Sequence, residues 1–248
     1  MVIATGGRSY PSTGSSGDGY AFAKRFGHTV IELKSALCPI RIKETIRHEM
    51  LDLTLKNVSL TCRNDSFSKT IFGDLEFLPG SITGPIVLSM SSLINRVGNV
   101  KMYLDLKPAL DEEKLDKRLI REIENNPNKD VKHLLSALLP NSFIEFFAEN
   151  TDTDTTAVLN SFTKEKRIKL LNDLKHFELT FMGLESIDKG IVTSGGVDVS
   201  EVDPKTMESK ICEGLYFIGE VLDVDAFTGG FNLQIALSTA YSCAVNMK

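Results

Sequence analysis

The sequence predicts an α/β fold, α+β overall, in which both ends of the chain build one sheet domain and the middle is inserted into it. Three observations carry this prediction. A short apolar strand running straight into glycines stands near each end: Val2-Ile3-Ala4 before Gly6-Gly7, and Leu215 to Ile218 before Gly219. Between them lie short β-prone segments over about 37–106, then a stretch rich in Glu, Lys, Leu and Asn with helical periodicity. An interrupted order of this kind makes the two ends partners in one sheet.

Each element follows from local chemistry. After the first strand, the Gly/Ser-rich loop from Gly6 to Gly19 permits positive φ and close approach of other groups. Asp18 is placed to cap a helix with an apolar stripe of Ala21, Phe22, Ala23 and Phe26, and Gly27 suits the position just past its end. His28 to Glu32 reads as the next strand. Further strands are expected at Cys38 to Ile42, Leu51 to Cys62, Ser68 to Leu78 and Val100 to Leu106. Within this β region Thr83 is placed to cap a short helix that tolerates Pro85 in its first turn. Stripes at Leu115, Leu119 and Ile123 and at Ile168, Leu171 and Leu174 predict helices. Strands return at Phe177 to Phe181 and Ile187 to Val192, and the α/β pattern resumes at Gly195-Gly196.

Composition narrows the function. With 28 Lys+Arg against 33 Asp+Glu, a net charge of −5 and no basic cluster, neither nucleic acid nor an anionic membrane is the expected partner. The apolar runs are shorter than a bilayer span and no basic leader precedes an apolar core, so a cytoplasmic protein is expected. Cys38, Cys62, Cys212 and Cys243 lack metal or disulfide spacing and read as small buried thiols. His28, His48, His133 and His176 share no ligand spacing, so no metal site is expected; no Gly-x-Ser-x-Gly elbow offers a hydrolytic nucleophile.

The chemistry-bearing stretch runs from Gly214 to Gln234. Glu220 follows Gly219 at the end of an apolar strand, where a carboxylate can accept hydrogen bonds from sugar hydroxyls or simply close a turn. Thr228-Gly229-Gly230-Phe231-Asn232 opens a final helix whose first N–H groups lack helical partners and favour negative charge nearby. Asp223 and Asp225, in the turn between, read equally as site acids or turn formers. Arg8, Ser9 and Tyr10 read first as solvated loop positions and second as phosphate or substrate contacts. Gly14, Gly17 and Gly19 have the wrong order for a phosphate loop.

This C-terminal stretch resembles the signature of the HI0933-like flavoproteins, FAD-dependent oxidoreductases that include BaiN-type and aminoacetone-oxidase-type proteins. Ile3-Ala4-Thr5-Gly6-Gly7 with Tyr10 to Tyr20, Ile82-Thr83-Gly84-Pro85, and Val192 to Val197 extend the resemblance in the family's order across nearly the whole chain. Two departures are Ala226, where the family has glycine, and Leu237 with Ala240, where it has smaller residues.

The resemblance implies an FAD-binding Rossmann-like domain formed by both chain ends, with an inserted β-barrel-like domain and a helical subdomain. The expected boundaries are 1–36 and 193–248 for the FAD domain, 37–106 and 177–192 for the β domain, and 107–176 for the helical subdomain. It also implies the cofactor contacts: Gly219 and Glu220 at sugar hydroxyls, Gly229, Gly230, Phe231 and Asn232 at the flavin ring, and Thr5 and Gly6 at the dinucleotide backbone. NAD(P)H is the implied reductant, the small-molecule substrate is unknown, and no residue is assigned as catalytic acid or base. Family members begin with a βαβ unit carrying Gly-x-Gly-x-x-Gly, which is absent here, so the domain is expected to be incomplete. The rival reading is a non-catalytic remnant or a subunit that needs a partner to hold FAD, the partner being a second copy or a complementing N-terminal fragment.

Overall fold

The computed structural model describes residues 1–247. In chain order its elements begin with β1 (Val2–Ile3), α1 (Asp18–Arg25), β2 (Val30–Ala36), β3 (Ile40–Ile42), β4 (Thr54–Arg63) and β5 (Ser68–Leu78). They continue with β6 (Ser81–Thr83), α2 (Pro85–Ile94), β7 (Lys101–Asp105), α3 (Glu112–Asn125), α4 (Val131–Ser136) and α5 (Asn141–Thr151). The last are α6 (Lys164–Lys175), β8 (Phe177–Leu179), β9 (Phe181–Leu184), β10 (Val192–Val197), β11 (Tyr216–Phe217) and α7 (Phe231–Asn246). The chain divides into two compact units: Met1–Ile40, Val87–Val97 and Leu184–Lys248 form the first, and Arg41–Ile86 with Gly98–Gly183 the second.

In the first unit β1 pairs in parallel with β11, Ile3 opposite Phe217, and β2 pairs antiparallel with β10. The register shifts between Ser194 and Gly196, where Glu32 and Leu33 of β2 stand opposite Gly195 alone, a bulge in β2. Its core gathers Ile3, Tyr20, Ala23, Val197, Leu215, Phe217 and Val221 from both chain ends. A buried polar chain braces it: His28 Nδ1 lies 3.1 Å from Glu201 Oε2, and His28 Nε2 lies 2.7 Å from Ser209 Oγ. This has the order of a Ser-His-Glu triad. Ser209 Oγ, however, already accepts from the N–H groups of Ile211 and Cys212 and is buried, so the arrangement is a brace and not a nucleophile.

The second unit holds a seven-stranded sheet in the order β8-β7-β4-β5-β6-β3-β9. Its two end strands are consecutive in the chain, separated by Thr180 alone, so the chain passes directly from one end of the strand order to the other. Leu60, Cys62, Met102, Leu104, Phe177 and Leu179 point to the core, where α5 contributes Phe143, Phe146 and Phe147 to a ring cluster with Phe77 and Phe177. Burial pushes the Cys62 thiol up to about 12, so it stays a neutral packing residue. Caps start the helices: the Asp111 carboxylate accepts from Lys114 N at 2.8 Å and the Asp130 carboxylate from His133 N at 2.9 Å.

Several local expectations need correction. Gly17, not Asp18, is the residue before α1, because its positive φ of 84° brings the chain into the helix and Asp18 becomes the first helical residue. The face that α1 buries is Gly19, Tyr20 and Ala23, while Phe22 and Phe26 face outward. In α6 the buried pair is Leu170 and Leu174, an i,i+4 spacing, and Ile168 is exposed. Residues Ile187–Lys189 form a turn of 3-10 helix and the strand begins only at Val192. Helix α2 opens at Pro85, directly after Gly84, so Thr83 ends β6 instead of capping it. Among the described residues no helix is long and apolar enough to cross a membrane, and no three His, Cys, Asp or Glu side chains gather as metal ligands.

Candidate functional site

The site forms where two loops leave the same end of the parallel β1–β11 pair. The chain continues from β1 into Thr5-Gly6-Gly7 and from β11 into Gly219-Glu220, and the pairing is extended by Ile218 N–H donating to Ile3 O at 3.1 Å. Parallel strands put both loops at their carboxyl ends, where α/β sheets receive ligands. Thr193 in β10 ties the loops together. Its hydroxyl oxygen accepts from the backbone N–H groups of Arg8 at 2.8 Å and Ser9 at 3.0 Å, and its own N–H donates to Glu220 Oε1 at 2.8 Å. A Cβ on Gly7 would collide with the Glu220 carboxylate and the Thr193 hydroxyl, so only glycine fits there.

Glu220 therefore has one oxygen anchored and lines a cavity of about 410 Å³. The walls include Val192, Val224, Phe227, Gly229, Gly230 and Ala236. Gly230 holds φ at 89° immediately before α7, and it lines the cavity together with Gly229 and the first turn of that helix. The Asn232 carboxamide is committed twice to the loop before it: Oδ1 accepts from Ala226 N at 2.9 Å and Nδ2 donates to Ala226 O at 2.8 Å. Its side chain thus fixes the loop before α7, and Asn232 remains part of the cavity lining. The Gly219 N–H donates to Thr239 Oγ1 of α7 at 3.0 Å and is equally spoken for.

Of the residues singled out by sequence, Glu220, Gly229, Gly230 and Asn232 line this cavity together. Phe231 lines a neighbouring hollow with Ser92, Leu93, Asp225 and Phe227, while Thr5 and Gly6 lie in the loop after β1 and line neither hollow. Arg8 is exposed and contributes its backbone N–H inward.

Tyr20 comes forward although sequence reasoning gave it no role, and Asp225 gains weight as a site acid. The Tyr20 hydroxyl is buried and has no hydrogen-bond partner among the described residues. Its pKa is raised, first by burial and then by the Glu220 carboxylate, with the nearby Thr193 side chain opposing the shift. An orphaned buried donor beside an anchored carboxylate is a costly arrangement. The Asp225 carboxyl is also raised, by burial above all, with a hydrogen bond from Ser194 and the Arg96 charge opposing and Asp223 reinforcing the shift. No sequence signal marks Tyr20, since it reads as one more apolar position of α1. Thr193 carried a faint one in its place before a glycine pair.

The cavity's features, a helix N-terminus, an anchored carboxylate and a glycine pair that admits close packing, fit a polyhydroxylated anionic cofactor with a flat ring. Comparison with known proteins agrees with this chemistry. The family described as HI0933-like protein Rossmann domain matches residues 1–246. Ribosomal RNA dihydrouridine synthase of Haemophilus influenzae is 33% identical over 248 residues, covering 100% of this chain and 60% of the relative. The protein of the same name from Escherichia coli is 31% identical with the same coverage. The 3-dehydro-bile acid delta(4,6)-reductase of Clostridium scindens is 27% identical over 247 residues, covering 97% of this chain and 60% of the relative. The chain thus spans three fifths of the length of these curated relatives, and by the match over residues 1–246 it belongs to the HI0933-like Rossmann family.

Proposed function

We propose that the chain is the FAD-contacting C-terminal portion of a reductase that saturates a carbon–carbon double bond, with uridine in ribosomal RNA as the substrate class. The observation that carries the FAD reading is the convergence of Glu220 and the Gly229-Gly230 entry to α7 on one cavity at the carboxyl ends of β1 and β11. Support for the chemistry comes from the relatives' names: a dihydrouridine synthase and a delta(4,6)-reductase both name reduction of a double bond. When bound, FAD would supply the hydride chemistry. The roles here fall to this chain's residues. Glu220 accepts from sugar hydroxyls, the N–H groups after Gly229 and Gly230 meet the electron-rich edge of the ring, and Thr5 and Gly6 allow backbone approach. NAD(P)H is the reductant in this reading.

An RNA substrate departs from the expectation of no nucleic-acid partner. That expectation rested on the charge of the whole chain, which argues against a large basic footprint and leaves room for a small local surface. A second reading is favoured by α7. Leu233, Leu237, Tyr241 and Val245, spaced i,i+4, are 71%, 67%, 71% and 58% exposed, and β1 has a neighbour on one side only. A further unit carrying the phosphate fingerprint would cover both, and FAD would bind tightly only to the completed domain.

The test is the visible absorbance of the chain after incubation with FAD and removal of free cofactor. A stoichiometric band that is lost in Gly7→Val supports the first reading. A colourless folded chain that gains the band on addition of the N-terminal part of a relative supports the second. A colourless chain under both conditions sinks the FAD assignment.

A further inference from the structure

The second unit carries a polar groove of about 710 Å³ that the flavin site does not use. It opens on the outer face of the sheet, where alternation on β4 puts Ser59, Thr61 and Arg63 outward while Leu60 and Cys62 are buried. Next to them on β7 stand Asp105, Tyr103 and Lys101, in register with Ser59, Thr61 and Arg63. The Arg63 guanidinium lies 4.5 Å from the centre of the Tyr103 ring.

Two features of this face point to a ligand. Arg63 and Lys101 are directly opposite each other on neighbouring strands, and neither forms an ion pair with any described carboxylate. Like charges in that relation repel in the free protein, and an anion bound between them removes the cost. The groove's acids, in contrast, are largely neutralised: Asp105 pairs with Lys175 at 2.6 Å and Asp173 with Lys169 at 2.9 Å, leaving Glu178. The second feature is aromatic. Tyr103 is half-buried under a cation, and Phe72, in register with Ser59 on the same face, is 62% exposed.

We propose that this face binds single-stranded RNA, with a backbone phosphate between Arg63 and Lys101 and bases stacked on Tyr103 and Phe72. The inference rests on the reading of RNA as the substrate and gives that RNA a docking surface. The groove, which Arg63 and Tyr103 line, is large enough for one nucleotide unit, and Lys101 and Phe72 stand outside its lining on the same face of the sheet. Stacking on aromatic rings beside a guanidinium recognises unpaired bases and not a closed duplex. The Thr61 and Thr70 hydroxyls, 2.8 Å apart, add hydrogen-bonding capacity beside the ring.

Fluorescence anisotropy of a labelled single-stranded RNA of roughly 12 nucleotides tests this with the chain itself. Saturable binding is expected, weakening with salt and displaced poorly by an RNA duplex. Arg63→Glu should weaken it by about tenfold or more and Lys101→Glu by less, whereas Lys24→Glu on α1 should leave it unchanged. All three positions are exposed, so folding is retained and is checked by circular dichroism. No binding up to about 100 μM, or equal binding by wild type and Arg63→Glu, overturns the proposal. Equal affinity for duplex and single strand overturns it too. The flavin band separates the two assignments: RNA binding lost with the band intact breaks this inference alone, whereas RNA binding intact with no band, either alone or with the added N-terminal unit, breaks the FAD reading.

Discussion

Helices α5 and α7 are both rich in apolar residues, and they meet opposite fates. In α5, Phe143, Ile144, Phe146, Phe147 and Ala148 are buried by its own unit, the rings meeting at centroid distances of 5.5–6.5 Å. In α7, a helix of 16 residues, Cys243 alone is buried. The difference teaches that apolar content in a helix says it will be covered, and only the surroundings say by what. For α5 the cover is the sheet of its unit; for α7 the proposed cover is a unit outside this chain.

The sharpest way to break the comparison is truncation on each helix. Phe146→Ala is expected to destabilise the chain by about 3–5 kcal/mol, because it empties the centre of the ring cluster. Chemical denaturation checks this, and a loss below 1 kcal/mol on that scale would mean that α5 is not the anchor of its unit. Next in size is His28→Ala, which leaves Glu201 and Ser209 without their shared partner and should cost about 1–3 kcal/mol. If the brace were instead a working triad, the variant would leave stability alone and abolish an esterase activity.

On α7 the expectation reverses. Leu237→Lys should change stability by no more than about 0.5 kcal/mol, since the residue is 67% exposed. Its effect should appear in sedimentation as reduced self-association, and in reduced capture of an added dinucleotide-binding unit. A large stability loss would show that α7 is already covered within the chain.

The smallest effect concerns Asp225. Its carboxyl is raised above its unfolded value by burial, so the folded state binds the proton more tightly. Stability then falls as pH rises through the window from the unfolded value up to the raised folded one. Asp225→Asn should remove this slope. Thermal melts of both forms should differ above the window and converge as the wild-type carboxyl is protonated at lower pH.

Much of the site was legible because glycine has few reasons to follow a strand. Gly6-Gly7 and Gly229-Gly230 marked the loops, and Glu220 stood out as a carboxylate at a strand end. The side-chain assignments were less legible. Asn232 offers a carboxamide to whatever is nearest, and the nearest group is the backbone of Ala226, a contact that no spacing rule predicts. Tyr20 failed for another reason: the buried side of α1 is chosen by tertiary packing, and the larger rings of Phe22 and Phe26 drew the apolar stripe to the wrong face. The inserted β and helical segments were visible in outline, because alternation and caps are local. The pairing of β8 and β9 at opposite ends of one sheet is not local and left no trace in the periodicity.

The wide separation of β1 and β11 sets the order of events during synthesis. Tyr216 pairs with Val2, and the Met1 amine donates to Gly214 O at 2.6 Å across 213 positions of sequence. At ordinary elongation rates roughly 10–40 s pass between the making of the two strands. The second unit, built almost entirely from the interval, can close in that time. The first unit, in contrast, closes only once β11 has been made.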